Sequence, residues 1–304
     1  MTSFVLDFDF PEYEEVVVKL AAQEAEEFLL SDLIRLLFHD LHAEGKLGTL
    51  LSEFEMNIKY EETRGIWRPT SLHRCMARHV YKVFKTPTQR AMHSPEQQWD
   101  FDRGHVFEAW VMAYIKKLVG RFGVTRVETN VEIFDPVSGL GGRADFILWR
   151  NGSAYLGEIK SKDEPFAFTK LQSITYWHKM QLNDYMGASL NSEDLPAIRA
   201  GWVIYVGPQF RGEERCPSCK GGTKVGTNIR DFFWRFDPAA WAETLKEIQL
   251  MQMFLDDPEQ IAPKASLPSM LCPGCPYEPI CGAQISPAHA ADIKYEKFHQ
   301  RGDG

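Results

Sequence analysis

The chain has 304 residues, enough for one large domain or for a domain with an appendage. Hydrophobic residues at 44% and charged residues at 25% are ordinary globular values and argue against wholesale disorder. A formal charge of −8 argues against a broadly basic coat for non-specific nucleic-acid binding, while leaving room for a local basic channel.

The acidic, aromatic start "MTSFVLDFDFPEYEE" does not read as a signal peptide, and no apolar run approaches the roughly 18 residues of a membrane span. The expectation is a soluble, cytoplasmic protein. In that compartment six cysteines are expected as metal ligands or reduced thiols rather than as a disulfide frame.

From Pro11 to about Leu50, apolar residues recur at three- and four-residue spacing as far as Gly45, predicting one or two amphipathic helices. "RPTSLHRCMARHVYKVF" predicts a helix capped by Thr70 or Ser71 that carries Cys75 in its first turns. "SPEQQWDFDRGHVFEAWVMAYIKKLVGRFG" predicts a long helix, capped by Ser94, through His105 to a stop near Gly120. The period then changes. "TRVETNVEIFD", "GGRADFILWR" and "SAYLGEIKSKD" predict an antiparallel meander, with Asn151-Gly152 as a tight turn. Helical spacing returns in "TKLQSITYWHKMQLNDYMGASL", followed by a strand in "AIRAGWVIYVGPQF" and by a strand and a helix starting near Pro238 in "DFFWRFDPAAWAETLKEIQLMQMFLDD". The tail "LPSMLCPGCPYEPICGA" is too rich in Pro, Gly and Cys to be regular.

In "GEIKSKD", side-chain alternation places Glu158 and Lys160 on one strand face and Ile159 on the other. Alone, that describes an ion pair on a solvated strand. The Asn151-Gly152 turn, however, folds Asp145 back toward Glu158. Two carboxylates and a lysine suit a hard divalent cation such as Mg²⁺, which keeps waters, one of them a nucleophile. Lys160 is then placed to orient that water or to stabilise the growing phosphorane charge.

"GGRAD", with "EIK" beginning thirteen positions after Asp145, resembles the G-x-x-D…E-x-K core of the PD-(D/E)XK nucleases. "RGHVFEAW" resembles the RecB-type motif that supplies a histidine, here His105, and "KMQLNDYMGA" resembles that family's Q-x-x-x-Y helix, here Gln181 and Tyr185. Cys75, in a C-x-x-R segment with Arg78, and the C-x2-C-x5-C cluster Cys272, Cys275 and Cys281 resemble the iron-sulfur branch of RecB-like exonucleases. That branch includes the AddB nuclease domain and the CRISPR-associated exonucleases.

The resemblance implies an α/β fold: a restriction-endonuclease-like core with a central mixed sheet flanked by helices, plus a helical cap locked by a four-cysteine cluster. It implies a nuclease domain over residues 67–285; within it the polar, glycine-rich segment 207–230 reads as a hairpin insertion beyond the family pattern, and outside it lie an N-terminal helical region 1–66, which matches nothing specific, and a tail 286–304. It further implies Asp145, Glu158, the Ile159 carbonyl and His105 as ligands of Mg²⁺ or Mn²⁺, Lys160 beside the attacking water, and Gln181 and Tyr185 positioning the scissile strand or the lysine. Cys75, Cys272, Cys275 and Cys281 would hold a 4Fe-4S cluster. The implied activity is a DNA exonuclease acting on single strands or ends in recombination, repair, phage DNA processing or CRISPR adaptation. Its cell would be bacterial, archaeal or phage-infected, and it would work alone or with a helicase or a recombination or adaptation protein.

Other readings stay open. Cys216 and Cys219 with Cys272 and Cys275 would make a four-thiolate zinc site, but 52 residues separate the pairs, against about 15–20 in a typical ribbon. That set also strands Cys75 and Cys281. Otherwise Cys216 and Cys219 form a second metal site or are free thiols in a flap where Lys220, Lys224 and Arg230 meet DNA. Lys162 is a candidate phosphate contact, and Tyr176, Trp177 and Tyr185 are candidate stacking surfaces for unpaired bases. A non-cleaving DNA-binding or adaptation-complex subunit is the rival from another class. Asp145, Glu158 and Lys160 speak against it, because clustered, partly buried charges are costly unless used.

Overall fold

The computed structural model describes residues 66–73, 75–84, 95–162, 171–207, 229–263, 275 and 277–290, together with Leu30, Ile34 and Leu37. Its centre is a five-stranded sheet in the order β1 (Val124–Asp135), β2 (Leu140–Arg150), β3 (Ser153–Ser161), β4 (Ala200–Val206), β5 (Ile229–Arg235). The first three strands form the expected meander, closed by Asn151 and Gly152 at φ 50° and 81°, the left-handed pair that a two-residue hairpin turn needs. β3 and β4 run parallel, and β5 returns antiparallel to β4, so the sheet is mixed.

Helices cover both faces. α1 (Pro69–Leu72), α2 (Met76–Val83) and α3 (Pro95–Lys117) precede the sheet; α4 (Tyr176–Ser189) crosses between β3 and β4; α5 (Pro238–Asp256), α6 (Glu278–Gly282) and α7 (Pro287–Ala290) follow it. On one face Val111 and Ile115 of α3, with Leu118 just past its end, pack with Phe146, Tyr155, Trp202 and Ile204. Leu30, Ile34 and Leu37, helical and spaced on one side, join that cluster. On the other face Leu182, Tyr185 and Met186 of α4 and Trp241, Ile248 and Met251 of α5 cover Ile147, Leu156, Val203 and Tyr205. Because both faces are covered, β4 reads as a near-continuous apolar run, AGWVIYV, rather than as an alternating one, and β3 is buried from Tyr155 to Ile159.

A third, smaller cluster joins distant parts of the chain. Ala77, Val80 and Tyr81 of α2 pack against Ala262, Tyr277, Ile280 and Cys281, and the Tyr81 hydroxyl donates to the Ile285 carbonyl at 2.6 Å. Among the described residues no helix is long and apolar enough to cross a membrane.

Three expectations need correction. The helix expected to carry Cys75 in its first turns is broken: α1 ends at Leu72, and Cys75 itself is the extended N-cap residue of α2, at φ −158°. Thr70 lies inside α1. In the interval between them His73 meets Asp184 and Glu247, long-range contacts that helical spacing in the sequence does not carry. Second, Arg230 is not in a flap, since it lies in β5 and donates to the Leu171 carbonyl at 2.8 Å. Third, the tail expected to be irregular contains α6; of the insertion expected at 207–230, residues 208–228 lie outside the described residues. Ser94, Lys220, Lys224 and most of residues 1–66 and 286–304 lie outside the described residues.

Candidate active site

β2 and β3 are paired from Phe146 opposite Gly157 out to Arg150 opposite Ser153, and no further toward Asp145. Beyond that point β2 stays with β1, and β3 stays with β4 as far as Ser161 opposite Val206. The two strands therefore part as a fork. Gly157 sits at its base under the Phe146 ring, where a methyl group would overlap the aromatic carbons. Asp145 and Glu158 are the first residues past it.

Asp145 fills the fork by accepting the Ile159 N–H at 2.5 Å, a donor that a continued ladder would have used. Lys160 Nζ donates to Glu158 Oε1 at 2.5 Å, and Gln181 Nε2, from α4, donates to the same oxygen at 2.6 Å. The other oxygen, Glu158 Oε2, is buried and has no hydrogen-bond partner. With Glu158 only 3% exposed, the solvated ion pair is excluded. Tyr185, one turn beyond Gln181, is also buried, and its hydroxyl donates to the Arg143 carbonyl at 2.9 Å.

α3 reaches the fork from the opposite face. Gly104 permits the approach, since a methyl there would stand 3.2 Å from the Ser161 hydroxyl oxygen. His105 follows, with Nδ1 3.8 Å from a Glu108 carboxylate oxygen. Glu108 is close enough to Glu158, Lys160 and Asp145 to act on their charges. Sequence reasoning missed this third carboxylate. Its signal was present in "RGHVFEAW", where Glu108 lies three residues after His105 and so on the same helix face.

The charges are unbalanced. Burial, then Glu158 and Glu108, hold the Asp145 carboxyl well above the usual range despite Lys160 and the Ile159 N–H. Burial likewise raises Glu108, with Glu158 adding to it and His105 and Lys160 opposing. Burial alone would lower the Lys160 ammonium, but Glu158, Asp145 and Glu108 raise it on balance. Among the described residues one lysine ammonium thus faces three carboxylates at the fork, an arrangement that a cation relieves. Among the described residues no three His, Cys, Asp or Glu side chains already form a closed metal cage. An orphaned carboxylate oxygen in an acidic fork still fits Mg²⁺ or Mn²⁺, because such ions are held by one or two carboxylates and keep several waters.

The aromatic candidates divide. Tyr185 is buried, so it offers no stacking face. Tyr176 is 60% exposed but borders the cavity beside His73 and Glu247 rather than the fork. Trp177, half-buried, precedes Gln181 by one turn on the same side of α4 and meets Tyr176 edge to face. Lys162 lies over the Tyr205 ring at 5.7 Å. Of the cysteines, Cys75, Cys275 and Cys281 are gathered in the cluster around Tyr81 and Tyr277, although 200 residues separate the first two. Cys272, Cys216 and Cys219 lie outside the described residues.

The family model for the PD-(D/E)XK nuclease superfamily matches residues 60–282, and the chain belongs to that superfamily. The matched span contains the fork, α4 and all six cysteines. Among solved structures, the chain is similar to an alkaline exonuclease, LHK-Exo, from Laribacter hongkongensis, at 13% identity and a TM-score of 0.39 over 62% of this chain and 87% of that one. Its complex with dAMP gives 17% identity and a TM-score of 0.38 over 60% and 77%. No curated protein matches the chain.

Proposed function

We propose that the chain is a metal-dependent deoxyribonuclease whose fork of Asp145, Glu158 and Lys160 hydrolyses phosphodiester bonds. The observation that carries this reading is the unpartnered, buried Glu158 Oε2, held in place because Lys160 and Gln181 occupy Oε1. A buried carboxylate oxygen without a donor is costly unless a ligand completes it.

Asp145, Glu158 and the Ile159 carbonyl would hold Mg²⁺ or Mn²⁺, which supplies an activated water and charge neutralisation at the phosphate. The carbonyl belongs to this set because a strand residue's N–H and C=O project to the same edge, and the Ile159 N–H already points at Asp145. Glu108 and His105 approach from α3 as further donors. Lys160 keeps its proton beside Glu158 and presents a positive charge where the phosphate gains negative charge. Gln181 fixes the Glu158 carboxylate, and Tyr185 fixes the β2 backbone through the Arg143 carbonyl. Trp177 and Lys162 are the remaining candidates for bases and phosphates. Single strands or DNA ends are the proposed substrate, with exonucleolytic cleavage in recombination, repair, phage DNA processing or CRISPR adaptation. A 4Fe-4S cluster on Cys75, Cys272, Cys275 and Cys281 would pin α2 to the C-terminal segment. That proposal is supported by the gathering of three of the four beside Tyr81.

Calorimetric titration of chelator-treated protein with Mn²⁺ tests the carrying observation. The wild type is expected to bind and Glu158→Gln to lose that binding; equal affinity in both would overturn the ligand assignment.

A further inference from the structure

The flank of α4 next to its fork-facing side carries a second buried polar cluster. His73, in the break between α1 and α2, places Nε2 2.8 Å from Asp184 Oδ2 and Nδ1 3.0 Å from Glu247 Oε2. The Thr244 hydroxyl, on α5, donates to Asp184 Oδ1 at 2.8 Å. Asp184 is fully buried. Next to it, Asn183 exchanges hydrogen bonds with the Asp237 backbone at 2.8 and 3.1 Å, fixing α4 to the N-terminus of α5.

These contacts matter because the middle of α4 is otherwise held largely by apolar packing, with His178 to the Tyr205 hydroxyl at 2.8 Å and the Ile198 N–H to Ser189 at 2.9 Å as further polar ties nearer its two ends. Apolar packing holds a helix close but is non-directional, whereas a buried hydrogen-bonded group fixes rotation and register. Asp184 lies three residues after Gln181 and immediately before Tyr185, the two residues that reach the fork. A turn or slide of α4 that loosened Asp184 would withdraw Gln181 from Glu158. A shift of about 1 Å at a reacting centre can cost on the order of a hundredfold in rate.

We propose that His73 is a positioning residue of the active site: by clamping Asp184, with Thr244 as second arm, it sets the rotation of α4 and so the hold of Gln181 on Glu158. The inference rests on the reading of the fork as the cleavage site. A cavity of about 330 Å³ borders His73, Thr244 and Glu247, so truncating His73 admits water to Asp184 instead of leaving it stranded.

A double-mutant cycle between His73 and Gln181 tests the clamp, read in kcat, DNA KM and Mn²⁺ affinity. His73→Ala is expected to lower kcat roughly tenfold or more and to weaken Mn²⁺ binding, with DNA KM within about twofold. His73→Ala in a Gln181→Ala background is expected to add little, because the clamp then has nothing to position. Thr244→Val, a smaller change, runs the same cycle and decides the matter if His73→Ala does not fold. Glu243→Gln, at the same cavity but without a bond to Asp184, serves as control. Losses that multiply across the cycle, or wild-type kinetics in both His73→Ala and Thr244→Val, would overturn the clamp alone. A wild-type protein that neither cleaves DNA nor binds Mn²⁺ would remove the nuclease reading and the clamp with it.

Discussion

Asp145 sits where the electrostatic cost of the site is concentrated, faced by Glu158 and Glu108 and shut away from water. An acid whose folded-state pKa is raised opposes folding above its unfolded value, so its charge is a liability in the metal-free protein. Asp145→Asn should therefore melt at a higher temperature than the wild type in EDTA at neutral pH while losing cleavage; a lower melting temperature would contradict this electrostatic account. At this scale the sequence was informative about identity but not environment. The spacing of Asp145, Glu158 and Lys160 was legible, because alternation on strands and a two-residue turn fix which side chains meet. The burial of Glu158 and the arrival of Glu108 were not, since both depend on α3 and α4, whose docking is set by residues far along the chain.

Elements were legible wherever one strong local signal dominated: the Asn151-Gly152 turn, the doubly covered strands, and Asp237 with Pro238 opening α5, where Asp237 accepts from the Ala239 and Ala240 N–H groups. The break between α1 and α2 was not, because the partners that His73 meets there, Asp184 and Glu247, lie 111 and 174 residues further along the chain. Burial alone would lower the His73 imidazole, but Asp184 and Glu247 together push it up to about 10. In α2 the sign is opposite. His79 lies under Trp67, ring centroids 5.1 Å apart, and burial lowers its pKa to about 4. A histidine kept neutral by the fold contributes stability above its unfolded pKa of about 6.5 and loses it as pH falls toward 4. That amounts to as much as about 3 kcal/mol for a shift of this size. That contribution should be lost between pH 6.5 and 4, so the melting temperature of the wild type should drop relative to that of His79→Phe over this range; parallel profiles would exclude His79 as the cause.

At the scale of the molecule, the three layers do two things that sequence order hides. They open a fork in a mixed sheet and bring helices to it from both faces, and they fold the chain so that Cys75, Cys275 and Cys281 join one apolar cluster. Four-thiolate iron-sulfur ligation predicts about four irons per chain and absorbance near 400 nm after anaerobic purification. Cys281→Ala should lose that iron together with much of the soluble protein. Zinc without iron would contradict the cluster and return Cys216 and Cys219 to consideration.

The central claim is that the fork cuts DNA with a divalent ion, and cleavage of end-labelled single-stranded and duplex DNA tests it most directly. Wild type, Asp145→Ala and Lys160→Ala are compared with Mg²⁺, with Mn²⁺ and with EDTA. Metal-dependent cleavage by the wild type is expected, with cleavage lost in both variants and DNA binding retained in all three. Cleavage surviving in either variant, or proceeding in EDTA, would contradict it.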